Sequence, residues 1–292
     1  MKPARFEYLR AESAAGAVAA LEEFGEDARI LAGGQSLIPL MNFRLAQPSH
    51  LVDITRVDEL DVVAEEEDAI VIGAAVRQAK AESSDLVRRA CPLLADALKL
   101  VAHPPIRHRG TICGSLCHAD PASEVAAVAL TLDALFTIQG PSGTRSVPAS
   151  EFEIGPYSTA VATGELLREV RMPKVPANAG TAILEFSRTH GNFGLAGAAA
   201  LIELGSGGTV SRARLTIFGA PMRPHRATNS EQQLLGGKPT EQAIREAADV
   251  ALNGVACKSD MHGSADYRAR LARVLARRAL TIAVSTAQGA GR

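Results

Sequence analysis

A chain of 292 residues is long enough for two domains or one large domain with a subdomain, and its 47% hydrophobic and 22% charged content is that of a globular protein with a sizeable core. With 31 basic against 32 acidic residues the net charge is -1, which excludes a bulk field drawing in nucleic acid or an anionic membrane surface. No apolar run reaches bilayer length, the first residues lack a signal peptide's apolar core, and Cys91, Cys113, Cys117 and Cys257 are too few for a disulfide framework. A cytoplasmic protein with no integral membrane segment is expected.

In chain order, Phe6-Glu7-Tyr8-Leu9 alternates like a short strand. Ser13 is placed to cap a helix over 14–24, where Ala17, Leu21 and Phe24 recur at helical spacing until Gly25. Arg29 to Leu31 reads as a second strand and Leu51-Val52-Asp53-Ile54 as a third, which predicts a small parallel βαβ unit. Between those strands lies Ala32-Gly33-Gly34-Gln35-Ser36, followed by the apolar Leu37-Ile38-Pro39-Leu40-Met41. Paired glycines at a strand's carboxyl end can take backbone angles closed to other residues and let N–H groups converge on an anion.

Ala69 to Ala74 reads as a strand, Ser83 to Ala90 and Leu93 to Val101 as helices separated by Pro92, and Glu124 to Leu132 as a buried helix. Leu135-Phe136-Thr137-Ile138 opens a run of strand-like pieces marked off by Gly140-Pro141, Gly143 and Pro148, so a second sheet with helices around it is expected. From Met172 to Ala177 the composition turns loop-like, which sets the expected division: a first domain over 1–176, with subdomains 1–56 and 57–176, and a second over 177–292. In the second, strands at 182–188, 196–203 and 213–218 precede helices at about 230–235, 240–253 and 264–285. The last helix has an apolar stripe of Tyr267, Leu271, Val274 and Leu275, with Arg268, Arg270, Arg273 and Arg277 on a solvated basic face.

A second loop, Arg109-Gly110-Thr111-Ile112-Cys113-Gly114-Ser115-Leu116, offers glycines for close backbone approach and hydroxyls from Thr111 and Ser115. Two such loops could clamp a pyrophosphate, whereas a single phosphate needs only one. Asp120, ahead of the helix from Ser123, suits either a ribose or ribityl hydroxyl or the role of an N-terminal helix acid. Cys113, Cys117, His118 and Asp120 are metal-ligand types without a second pair elsewhere, so no metal site is assigned. The Gly-x-Gly-x-x-Gly, Walker, Gly-x-Ser-x-Gly and His-Glu-x-x-His patterns are absent.

These stretches carry a resemblance. Ala32 to Met41, with Leu51-Val52-Asp53-Ile54 behind it, is similar to the first FAD loop of the molybdenum hydroxylase flavoprotein subunits, the medium chains of carbon monoxide dehydrogenase, quinoline oxidoreductase and relatives, and to the flavin domain of xanthine dehydrogenase. His103 to Leu116, with His118-Ala119-Asp120-Pro121, resembles the second loop, Gly164 to Pro173 the end of the FAD domain, and Asp260 to Arg268 with Arg277-Arg278-Ala279-Leu280 the C-terminal domain. The resemblance implies an α+β fold: a two-subdomain FAD-binding domain of the vanillyl-alcohol-oxidase/PCMH type, made of a small βαβ unit and a larger mixed sheet with helices, then a small C-terminal antiparallel sheet with helices. It implies FAD held by Ala32, Gly33, Gly34, Gln35, Ser36, Leu37, Thr111, Gly114, Ser115, His118, Asp120 and Leu166, with Phe193 in the place of an aromatic that approaches the isoalloxazine. Phe193 lacks the hydroxyl of the tyrosine common there. Cys113 stands where the family has glycine, so its thiol must point away from the phosphates or crowd them, and a valine at Gly33 or Gly114 is expected to intrude on them.

No catalytic acid or base is implied. The implied role is electron transfer to an external acceptor, with molybdopterin on a large partner subunit, two-iron two-sulfur clusters on a small one, and a dimer of heterotrimers (a heterohexamer) as the assembly. Two alternatives stand beside it: a stand-alone FAD-dependent oxidase or reductase, and a non-catalytic nucleotide-binding module.

Overall fold

The computed structural model describes residues 1–290. Contacts divide them into two units that interleave along the chain. One comprises Met1–Asp85, His103–Ala119 and Ala134–Met172; the other comprises Leu86–Ala102, Asp120–Asp133 and the chain from Pro173 onward. A cut near residue 176 would leave the helices Pro92–Leu100 and Glu124–Thr131 with the first part of the chain, but their contacts lie with the second unit.

The first unit begins as the sequence predicts. Ser13 Oγ accepts from Gly16 N at 3.0 Å and so caps the helix Ala14–Phe24, and Gly25, at φ 54°, ends it. Ala14, Ala17, Val18 and Leu21 form its buried face. The strands Glu7–Arg10, His50–Asp53 and Ala28–Leu31 lie parallel in that order. Register pairs Arg10 with Asp53 and Leu31 with Asp53, so the three carboxyl ends meet at one edge with Asp53 in the middle.

A five-stranded sheet follows, ordered Val63–Glu65, Ala69–Gly73, Leu166–Pro173, Leu135–Gly140, Gly143–Pro148. The outer pairs, and the pair joining Leu166–Pro173 to Leu135–Gly140, are antiparallel. Strand Leu166–Pro173 escapes the pattern reading because a register shift between Leu167 and Glu169 breaks its alternation. Arg168 pairs with Glu59 at 3.0 Å and Arg171 with Glu66 at 2.7 Å, so its charges are tied down at the rim. The helix expected over 83–90 is broken: Gln78–Ser83 and Asp85–Ala90 are separate, with Ser84 extended at φ -73°, ψ 123°. Pro92 opens the helix Pro92–Leu100, where its missing N–H costs nothing.

The second unit holds an antiparallel sheet of Ala179–Phe186, Ala196–Leu204, Val210–Phe218 and His225–Arg226. Its core is rich in alanine, with Ala198, Ala200, Ala272, Ala276 and Ala283 all buried around Ile202, Leu215 and Ile217. Small residues let helix and strand approach closely: a Cβ on Gly180 would lie 2.0 Å from Ala283 O. The long helix Ala265–Ala290 corrects the expected stripe. Its buried line runs through Arg268, Ala272, Leu275, Ala276, Ala279, Leu280 and Ala283, while Val274 is on the surface. Arg268 therefore leaves the basic face: its Nη1 donates to Leu195 O at 2.8 Å and Gly219 O at 3.3 Å, and its Nη2 to the Asp260 carboxylate at 2.6 and 2.7 Å. Arg270 and Arg277 stay exposed. Among the described residues no helix is long and apolar enough to cross a membrane.

Candidate functional site

From Leu31 the chain turns through Ala32–Ser36 into the helix Leu37–Asn42. The two glycines do different work. Gly34, at φ 72°, is left-handed, a conformation that disfavours any side chain. Gly33 has no such angle; a Cβ there would lie 2.6 Å from both Arg109 O and Gly110 Cα, so its bare backbone lets the first loop rest on the second. A valine at Gly33 would thus meet the second loop itself, from its Cβ onward. Among the described residues, the N–H groups of Gly33, Gly34, Gln35 and Ser36 have no hydrogen-bond partner. Four successive free donors in a turn form an anion cradle. Gln35 Nε2 folds back to Gly33 O at 3.4 Å, and Ser36 makes no side-chain capping bond.

The second loop is largely helical. Thr111 caps the helix Ile112–His118 by accepting from Gly114 N at 3.0 Å, and a Cβ on Gly114 would lie 2.6 Å from that hydroxyl. Gly114 thus preserves the cap, and Ala32 Cβ lies 3.8 Å from where a Cβ on Gly114 would sit. Cys113 resolves the question its sequence position raises: its thiol is buried and turned toward Ile72 O, 3.7 Å away, and its own N–H has no partner among the described residues. The side chain does not obstruct the loop. Burial, with Cys117 and Glu169 nearby, pushes the Cys113 thiol well above its ordinary range. Cys113 is therefore expected to stay unlabelled by iodoacetamide in the native protein and to react only after denaturation, as peptide mass spectrometry would read; rapid native labelling would contradict this placement.

Beside the first loop is a cavity of about 660 Å³, lined on one side by Leu31, Ile38 and Pro39. Asp53, Arg77 and Arg109, none of them among the residues predicted for the site, supply its charges. Burial works to raise the Asp53 carboxyl, but hydrogen bonds from Tyr8 and Thr55 outweigh it and hold the group below its ordinary value. Arg77 Nη1 donates to Arg109 O, which ties the start of helix Gln78–Ser83 to the second loop. Burial first, then the Arg109 charge, lower the Arg77 guanidinium from its ordinary value.

Residues 4–175 match the family described as the FAD binding domain in molybdopterin dehydrogenase, and residues 182–283 the CO dehydrogenase flavoprotein C-terminal domain. The 6-hydroxypseudooxynicotine dehydrogenase complex subunit alpha of Paenarthrobacter nicotinovorans is 41% identical over 99% of this chain and 97% of its own length. A structure of carbon monoxide dehydrogenase from Hydrogenophaga pseudoflava superposes with a TM-score of 0.95 at 40% identity, covering 98% of this chain and 99% of that one. Quinoline 2-oxidoreductase from Pseudomonas putida 86 gives 0.93 at 36%, covering 100% of both. The chain belongs to the FAD-binding medium subunits of the molybdenum hydroxylases. Its relatives are subunits of dehydrogenase and oxidoreductase complexes.

The first unit of this medium subunit brings together residues 32–37, Thr111, Gly114 and Ser115. His118 ends the helix Ile112–His118 with its ring 5.2 Å from that of Tyr157, and Leu166 is buried in the five-stranded sheet. Asp120 and Phe193 belong to the second unit. Asp120 Oδ1 accepts from Ala122 N at 2.8 Å, and Phe193 projects from the loop before strand Ala196–Leu204, 76% exposed. Of the residues overlooked, Asp53 had a local signal, as the last residue of a βαβ strand, and Arg109 adjoins a loop glycine. Arg77 had none; only folding brings it there.

The second unit also holds two facing, half-buried carboxyls. Desolvation first, then their mutual repulsion, raises Glu124, and desolvation raises Glu185. Groups titrating higher when folded stabilise in acid, and that contribution is lost as pH climbs through about 7 and about 8. The medium subunit is thus expected to melt lower at pH ~9 than at pH ~6, and Glu185→Gln to flatten the difference. A wild-type slope retained in the variant would contradict the assignment.

Proposed function

We propose that this medium subunit is the electron-transfer flavoprotein of a cytoplasmic molybdenum hydroxylase. In this reading it holds FAD that takes electrons from two-iron two-sulfur clusters on a small partner and delivers them to an external acceptor. The molybdenum cofactor would reside on a large partner, and the assembly would be a dimer of heterotrimers. The single observation that carries the reading is the row of unpartnered N–H groups at Gly33–Ser36, a cradle that fits the diphosphate of FAD, beside a Gly33 whose missing side chain lets the second loop pack against it. Thr111, Gly114 and Ser115 would complete the cradle from the second loop, with His118 and the Leu166 backbone further along the flavin. Asp120 would take a ribityl hydroxyl and Phe193 would approach the isoalloxazine.

Bound FAD supplies an acceptor able to take one or two electrons, and the chain's part is to bind, orient and shield it rather than to give an acid or base. The reading predicts that the chain, expressed with its neighbours, co-purifies with a large and a small subunit, and that adding the complex's reducing substrate bleaches the flavin. A purified chain that turns over substrate without partners would overturn it.

A further inference from the structure

We infer that Glu124 and Glu185 are positioning residues for the loop 187–195, and that a proton held between them keeps the loop carrying Phe193 on its seat. The inference rests on the FAD reading for its purpose, because Phe193 is the aromatic which that reading sets beside the isoalloxazine. The seating itself is a property of the second unit alone. The loop joins strands Ala179–Phe186 and Ala196–Leu204, whose last pairs are Glu185 with Gly197 and Phe186 with Ala196. Leu195 N donates to Phe186 O at 2.7 Å and closes the loop's root. Beyond that root Asn192 N donates to Thr189 O, Asn192 Nδ2 to Thr189 Oγ1 and Ser187 Oγ to Thr189 O, bonds that shape the loop without tying it to the sheet.

Glu185 stands at that root with Gly194 against it: a Cβ on Gly194 would lie 3.4 Å from Glu185 Oε2. The Glu185 carboxyl hydrogen-bonds that of Glu124, and two carboxylates cannot make such a bond without a proton between them. Oε2 itself is buried with no hydrogen-bond partner, so full ionisation would leave charge there with no donor to meet it. The surrounding charges do not relieve this. Asp120 adds to the repulsion on Glu124. Arg268 is committed to Leu195 O, Gly219 O and Asp260, and Lys258 interacts with Arg268, Asp120 and Asp260. Asp96 and Lys99, on the helix Pro92–Leu100, pair with each other at 2.7 Å, and Arg188 and His190 are exposed on the loop itself. Glu124 has little room to yield when the proton leaves. It is the first residue of the helix Glu124–Thr131, which Ser123 Oγ caps by accepting from Ala126 N at 3.2 Å, and Val125, Ala127 and Val128 bury the helix behind it. The displacement therefore falls on Glu185 and on the loop that rests against its carboxyl.

The test is hydrogen exchange of the flavin-free full chain from pH ~6 to pH ~9, corrected for the intrinsic rate of an unprotected peptide. Mass spectrometry reads the loop 187–195 and, as a control, the strand Ala196–Leu204. Protection at the loop's root is expected to fall about tenfold over that range, with the change centred between about 7 and about 8, while the strand keeps its protection. Glu124→Gln and Glu185→Gln, made singly, leave the observed loop unchanged in sequence and put an amide donor between the two side chains at every pH. Each should hold the loop protected throughout. Loop protection that does not vary with pH in the wild type, or that falls alike in both variants, would overturn the inference, as would a fall shared by the strand. FAD uptake by a chain whose loop shows no pH response would leave the flavoprotein reading standing without this one. A chain that shows the response and binds no FAD would lose that reading and keep the proton-held loop.

Discussion

Replacing Gly33 by valine is expected to strip the medium subunit of FAD and lower the melting temperature of its first unit. The cause is already present at the Cβ. That atom would sit 2.6 Å from Arg109 O and Gly110 Cα, and backbone cannot rotate aside as a side chain can. Overpacking costs about 1–3 kcal/mol where side chains adjust, so a backbone clash belongs at or above the upper end. If the loops separate to relieve it, the same energy is lost from FAD binding, and about 3 kcal/mol is roughly two orders of magnitude in affinity. Gly33→Ala should suffer most of the loss, because the valine methyls add only to a clash that Cβ has made. Flavin absorbance per protein and thermal melting check this, and a Gly33→Ala protein with full flavin content would contradict it.

The second large effect is expected in the second unit. Arg268→Met should destabilise it by about 1–3 kcal/mol, the cost of leaving buried carbonyls without their charged donor, since the Asp260 side chain is 38% exposed and can turn to water. Arg268 is 2% exposed, and its guanidinium joins Leu195 O, Gly219 O and both oxygens of Asp260. Without it two carbonyls lose their donor and the Asp260 carboxylate loses the hydrogen bonds that hold it below its ordinary value. Arg268→Lys should not restore stability, since one ammonium cannot span that fork. Differential scanning calorimetry decides; a melting temperature within about 2 °C of wild type would show the network to be dispensable.

Arg268 also marks a limit of what sequence alone can convey. Its spacing with Arg270, Arg273 and Arg277 reads as a solvated face, because nothing local announces that Asp260 and two distant carbonyls converge on it. Local signals read well wherever the determinant is local. Ser13 capping the helix to Phe24, Gly25 ending it, and the three strands of the βαβ unit all fall within a residue or so of their expected places. The strand Leu166–Pro173 fails the alternation test because of its bulge, and the helix expected over 83–90 begins only at Asp85, since Ser84 is extended between two short helices. At the site, the glycines were legible as glycines, but their reasons were not. Gly33 is required by the second loop and Gly34 by its own backbone angle, a distinction set by chain that folds back from Arg109. Arg77 was invisible for the same reason, being far in sequence from the second loop to which it bonds.

The most direct measurement of the central claim is the flavin content and FAD affinity of the purified chain. One FAD per chain is expected, released on denaturation and identified by mass, and recovered when flavin-free protein is titrated with FAD but not with riboflavin alone. A folded, colourless chain that takes up no FAD on reconstitution would contradict it.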